Sequence, residues 1–134
     1  MDSSQQIVLI LDDDLGFVFW LGHALDESGF AAFPARSIPD AKVLLRELKF
    51  NPNLLIVNPA LPGTAEFIDE LRLSPVRLKV IAITQDAGQR VEPRLGAVAT
   101  KPKPRGPDET SKSEWLRLIQ SVLMRNANAG RMRN

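Results

Sequence analysis

A sheet of parallel strands wound on both faces by helices is the fold class that this 134-residue sequence predicts, and three features predict it. Short, wholly apolar runs recur along the chain, of a length suited to strands buried on both faces. Amphipathic segments lie between them, as the crossover connections of parallel strands require. The alternation starts with a strand and recurs about five times, so every strand but the last has a helical segment to carry the chain back.

The expected strands are 6 to 11, 30 to 34, 54 to 58, 78 to 84 and 97 to 100. In the first helix Phe17, Trp20, Leu21, Ala24 and Leu25 recur at three-four spacing, which makes one apolar face, and Gly29 stops it. The second helix is placed at 38 to 49, with Ala41, Leu44, Leu45 and Leu48 as its stripe. The third is placed at 65 to 73, with Thr64 as N-cap and Phe67, Ile68 and Leu71 facing inward. Residues 87 to 95 contain Gly88 and Pro93 and little apolar surface, so one or two distorted turns are expected there. In the last helix Ser111 and Glu114 form a capping-box pattern ahead of Trp115, Leu118, Ile119, Val122 and Leu123. Together these elements predict a three-layer α/β/α domain with a flavodoxin-like, doubly wound five-stranded sheet over residues 1 to 125. Residues 126 to 134 lack periodicity and are expected to form a flexible basic tail.

Composition narrows the function. A formal net charge of +1 gives no electrostatic reason for nucleic acid to be the main partner, although Arg125, Arg131 and Arg133 lend the tail weak affinity for it. The absence of cysteine excludes disulfides, thiolate metal sites and thiol catalysis, and a single histidine, His23, excludes histidine-rich metal centres. The first apolar run, at 7 to 11, is too short for a signal-peptide core or a membrane span, so a cytoplasmic protein is expected.

In an open α/β sheet the chemistry gathers at the carboxyl ends of the strands. After the first strand stand Asp12, Asp13 and Asp14. One of them, Asp14 by position, suits a helix N-cap, and the adjacent pair Asp12 and Asp13 suits a hard cation such as Mg2+, which needs only one or two carboxylates. The third strand ends on Asn58, ahead of the loop "PALPG", and the fourth ends on Thr84. After the fifth come Lys101 and Lys103, each followed by proline, either of which would set a cation opposite the aspartates.

These four strand ends, with the acidic cluster, the "LPG" loop, the threonine and the Lys-Pro in that order, resemble the receiver domain of bacterial two-component response regulators over residues 6 to 125. The resemblance implies signalling, with Asp12 and Asp13 as the metal-holding pair, Thr84 as the switch hydroxyl, and a phosphate-binding lysine. It also implies a phosphoacceptor aspartate five residues before the loop glycine, Gly63, and that position holds Asn58. Counting from Gly96 and Ala97 in the family's usual spacing favours Lys103 as the lysine. That choice puts Pro102 inside the fifth strand, so Lys101 is preferred and Lys103 is the alternative. Three residues before these lysines stand Val98 and Thr100, where the family often has an aromatic residue.

A carboxamide is a far poorer nucleophile than a carboxylate, and loss of that charge weakens any Mg2+ site. Deamidation through the following backbone N–H is blocked because Pro59 has none. Gln85 is a second departure, since the family has a small residue there to admit the phosphoryl group. The expectation is a pseudo-receiver, not an enzyme, that acts through protein–protein recognition. Its expected partners are a histidine kinase, a phosphotransfer or output protein, or a second copy of itself. Val18 and Phe19, apolar and off the first helix's stripe, are the expected interface. Two rivals stand beside this. "VLILDDDLG" is also similar to the first motif of haloacid dehalogenase-like phosphatases, with Asp12 as nucleophile and Asp14 as acid/base, but Gly16 replaces the expected threonine or valine and no later acidic motif completes the metal site. The other rival is a small-ligand sensor built on Asp12, Asp13, Asn58 and Lys101.

Overall fold

The computed structural model describes residues 5–86, 88–106 and 108–132, with side chains through 124. Strands β1 (Ile7–Leu11), β2 (Ala31–Ala35), β3 (Leu54–Val57), β4 (Lys79–Thr84) and β5 (Ala99–Pro102) form one parallel sheet in the order β2-β1-β3-β4-β5. Helices α1 (Leu15–Glu27), α2 (Ile38–Leu48), α3 (Thr64–Leu71) and α4 (Glu109–Met132) connect or follow them. Between β4 and β5 the described residues form a single 3-10 turn, Pro93–Leu95, in keeping with the Gly- and Pro-containing sequence there.

Alternation along the strands builds the three layers. Val8, Ile10, Leu54, Ile56, Ile81 and Ile83 point to the face covered by α1 and α4, where Trp115, Ile119 and Val122 fill the core. Their neighbours Leu9, Leu11, Leu55, Val57 and Val80 point to the opposite face, under α2 and α3. Side chains of a strand alternate faces, so the all-apolar runs in the sequence reflect burial on both.

Several expected details move. Val18 is fully buried, in the core with Leu21 and Leu25, because the buried arc of α1 is wide enough to take both Phe17 and Val18; only Phe19 of the expected interface pair is exposed, at 59%. The α2 stripe is shallower than expected: Ala41 is buried, Leu44 and Leu45 are half-buried, and Leu48 is exposed. Thr64 does not cap α3. Gly63 does, in the left-handed region at φ 84°, where a side chain would be strained, and the buried Thr64 hydroxyl donates to the Leu61 carbonyl. The cap of α4 is Asp108, whose carboxylate accepts the Ser111 N–H at 2.7 Å, one turn before the expected Ser111 cap. These bonds hold the Asp108 carboxyl below its ordinary range, the Ser111 backbone N–H being the largest cause.

Both edges of the sheet carry a proline, Pro34 in β2 and Pro102 in β5. Lys103 N–H donates to the Thr84 carbonyl, so the neighbouring Pro102 nitrogen faces the open edge, where no ladder hydrogen bond is lost. The fifth strand therefore runs two residues later than expected, and Lys101 lies inside it. Of the expected tail, residues 126–132 have helical backbone as the end of α4, and the remainder of that expectation lies outside the described residues. Among the described residues, no helix is long and apolar enough to cross a membrane.

Candidate functional site

The sheet's ladder continues one residue past its strands and pins the site. Asp12 N–H donates to Ala35 O at 3.2 Å, Asn58 N–H to Leu11 O at 2.9 Å, and Lys103 N–H to Thr84 O at 3.1 Å. Strand order reverses between β1 and β3, the switch point where doubly wound sheets open a crevice. Asp12 and Asn58 stand on its two sides.

Asp12 is wholly buried. Its Oδ1 accepts the Asn58 Nδ2–H at 3.1 Å, and its Oδ2 lies 2.9 Å from the Lys103 ammonium, an ion pair with no further hydrogen bond to that oxygen. The Asn58 amide cannot be turned around. Its Oδ1 accepts the Ala60 N–H at 2.9 Å, so reversing it would set an oxygen against the Asp12 carboxylate and a donor against a donor. Asp14 caps α1 through Oδ1, which accepts the Phe17 N–H at 3.2 Å, and its Oδ2 stands 3.6 Å from Lys103. Asp13 points to solvent.

Lys103, the alternative lysine, is thus the one that reaches the acidic cluster. Lys101 lies two residues earlier on β5 and turns to α4 instead, 3.5 Å from Glu114 and over the Trp115 ring at 5.9 Å. The preference for Lys101 rested on keeping proline out of a strand, and an edge strand removes that objection. Burial disfavours the charge on Lys103, but the contact with Asp12 and the fields of Asp12, Asp14 and Asp13 together outweigh it and raise its pKa above the ordinary lysine value.

Thr84 is buried, and its hydroxyl has no hydrogen-bond partner among the described residues. Gln85, the expected obstruction, is exposed, with its backbone N–H held by Gln89 Oε1 at 2.7 Å.

The expected Mg2+ donors do not converge. Asp12 is occupied by an amide N–H and an ammonium, Asn58 presents nitrogen to the cluster, and Asp13 is exposed. This arrangement resembles a neutralised polar lock more than a cation cradle. An ammonium on one carboxylate oxygen and an amide N–H on the other satisfy a buried negative charge without a metal.

Beside the site, Leu15, Phe19, Val43 and Leu44 line an apolar groove of about 460 Å³ between α1 and α2. As exposed apolar surface the sequence marked Phe19 alone among these, because Leu44 was placed on the buried α2 stripe, Val43 lies beside that stripe and Leu15 precedes the first helix's periodic run.

Neither a protein-family model nor a curated protein sequence matches this chain. Solved structures do match it. A CheY-like response regulator receiver domain protein from Methanospirillum hungatei is 23% identical, with a TM-score of 0.69, and the match covers 94% of this chain and 99% of that one. A response regulator receiver protein from Burkholderia phymatum is 24% identical, with a TM-score of 0.65, over 89% of this chain and 95% of that one. The chemotaxis response regulator CheY4 of Vibrio cholerae is 20% identical, with a TM-score of 0.64, over 90% and 100%. The chain has the fold of response-regulator receiver domains.

Proposed function

We propose that this domain is a pseudo-receiver of two-component or phosphorelay signalling, which works through protein–protein contacts and accepts no phosphoryl group at its central strand end. One observation carries the reading. At the end of β3, where a receiver needs a nucleophilic carboxylate, Asn58 supplies an amide whose N–H is spent on Asp12 at 3.1 Å. The lone pair of an amide nitrogen is delocalised into its carbonyl and does not attack phosphorus, and the amide oxygen already accepts from Ala60.

Lys103 supports the same reading. In place of an incoming phosphoryl group, its ammonium is directed at Asp12 and balances that charge from within the protein. The exposed apolar surface of Leu15, Phe19 and Val43 supports recognition through helix faces. Against the phosphatase alternative stands Asp12 itself, since a nucleophile with no exposed surface and both oxygens engaged is poorly placed to attack a phosphate ester.

The test is incubation with acetyl phosphate and magnesium, followed by intact mass before and after hydroxylamine. No hydroxylamine-sensitive phosphoryl group is expected on the wild-type protein. Its stable appearance would overturn the reading.

A further inference from the structure

A second cavity, of about 250 Å³, opens between the first turns of α1 and the β5–α4 loop, lined among others by Asp14, Phe17, Trp20, Lys103, Arg105 and Gly106. Its walls join Phe17 of the core, the α1 cap Asp14 and the lock cation Lys103 to two residues with surface to spare, Trp20 and Arg105. The rings of Phe17 and Trp20 lie 6.1 Å apart and inclined by 35°, and Trp20 is only half-buried, which leaves an aromatic wall facing the opening. Arg105 is exposed and has no hydrogen-bond or ion-pair partner among the described residues. Lys103 has three N–H donors; Asp12 takes its close contact, and Asp14 Oδ2, at 3.6 Å, is too far for a hydrogen bond.

We propose that this cavity binds a small aromatic anion, its ring against Trp20 and Phe17 and its negative group on Arg105 and Lys103. Arg105 sets the place of the anionic group. Asp12 and Asp14 lie against Lys103, whereas the guanidinium of Arg105 has no ion-pair partner among the described residues and can take a carboxylate in two parallel hydrogen bonds. Asp14 uses Oδ1 for its cap, so Oδ2 remains to accept from a hydroxyl or N–H beside the anion. Size selects further. Ligand pockets usually run from about 300 to 1,000 Å³, so this one suits a single ring system better than a nucleotide or a peptide. The larger groove between α1 and α2 offers no equivalent, because its cation, Arg36, is already paired with Asp40 at 3.2 Å. A ligand here would bear directly on the ammonium that holds Asp12, which gives a domain without phosphoryl input a chemical one. The binding itself does not depend on the role assigned to Asn58.

The probe is salicylate, which carries ring, carboxylate and hydroxyl together, titrated into 15N-labelled protein with benzyl alcohol and acetate as controls. Saturable shifts at the Trp20 indole N–H and the Gly106 amide are expected with salicylate alone. Arg105→Ala should weaken that binding by about tenfold or more, the loss of one charge-assisted contact, while Phe19→Ala in the other groove leaves it unchanged. The absence of saturable shifts with salicylate, equal response to acetate or to benzyl alcohol, or indifference to Arg105→Ala would each overturn the proposal.

Discussion

Replacing Lys103 by methionine keeps most of the side chain's length and removes its charge. Asp12, with no exposed surface, then has nothing opposite Oδ2 and keeps only the Asn58 side-chain N–H at 3.1 Å and the long Asp14 backbone N–H at 3.5 Å, both on Oδ1. Removing one partner of a buried ion pair costs roughly 3 to 5 kcal/mol. Lys103 retains 18% exposure, so water relieves part of this penalty, and roughly 2 to 4 kcal/mol is expected here. Urea unfolding followed by tryptophan fluorescence should show it. With a slope of about 2 kcal/mol per molar, the middle of the range for small domains, the midpoint should fall by roughly 1 to 2 M. Lys101→Met is the internal control, because its partner Glu114 is 53% exposed and such pairs contribute about 0 to 1 kcal/mol. Adding Asp12→Asn to Lys103→Met should restore part of the loss, since the stranded charge is then gone. The pH dependence has a definite sign. The Lys103 pKa is raised on folding, so its stabilisation is complete below the ordinary lysine value of 10.5 and fades as pH rises through the higher folded value. The difference between wild type and Lys103→Met should therefore narrow only in strong alkali. A cost no larger than that of Lys101→Met, or no rescue by Asp12→Asn, would refute the lock.

Two further outcomes follow from the same contacts. Asn58→Asp sets a second carboxylate where an N–H donor now faces Asp12 at 3.1 Å, so the variant should be less stable by about 1 to 3 kcal/mol without divalent ions, with part of the loss regained in magnesium; denaturation with and without EDTA measures both. Asp108→Ala removes the carboxylate that holds the Ser111 N–H at 2.7 Å, so hydrogen exchange at Ser111 should accelerate while exchange in the sheet is unchanged. Because the Asp108 pKa is depressed on folding, the cap is complete above the ordinary value of 3.8 and is lost as pH falls through the lower folded value; the wild type should lose its advantage over the variant only in that acid range.

The strands that were easiest to read are the central ones. β1, β3 and β4 are buried on both faces, so β1, β3 and the interior of β4 are unbroken apolar runs that local chemistry alone identifies. β5 carries a weaker signal because it lies at an edge: Ala99, Thr100, Lys101 and Pro102 are partly exposed, and a proline inside it is permitted only by which way its nitrogen faces. That one tertiary fact displaced the strand by two residues and exchanged the lysines. Asp12, Asn58, Thr84 and a lysine were found at the strand ends because topology places them there. What the sequence could not convey was orientation. Asp13 was paired with Asp12 on adjacency, yet consecutive residues leaving a strand point apart, and Asp13 faces water. Val18 was assigned to the surface by a narrow helical stripe, whereas α1 lies under both the sheet and α4 and buries a wider arc. The cavity beside Trp20 had no signal in periodicity, because it joins the start of α1 to a loop about 85 residues further on.

The most direct measurement is a comparison of amide spectra with and without beryllofluoride and magnesium, a pair that mimics a phosphoryl group on a carboxylate. The wild-type protein, with an amide at Asn58 already bonded to Asp12, is expected to leave the signals of Thr84, Lys103 and the following loop unshifted, while Asn58→Asp is expected to move them. Saturable shifts at Thr84 and Lys103 in the wild type would contradict a domain that signals without the phosphoryl group.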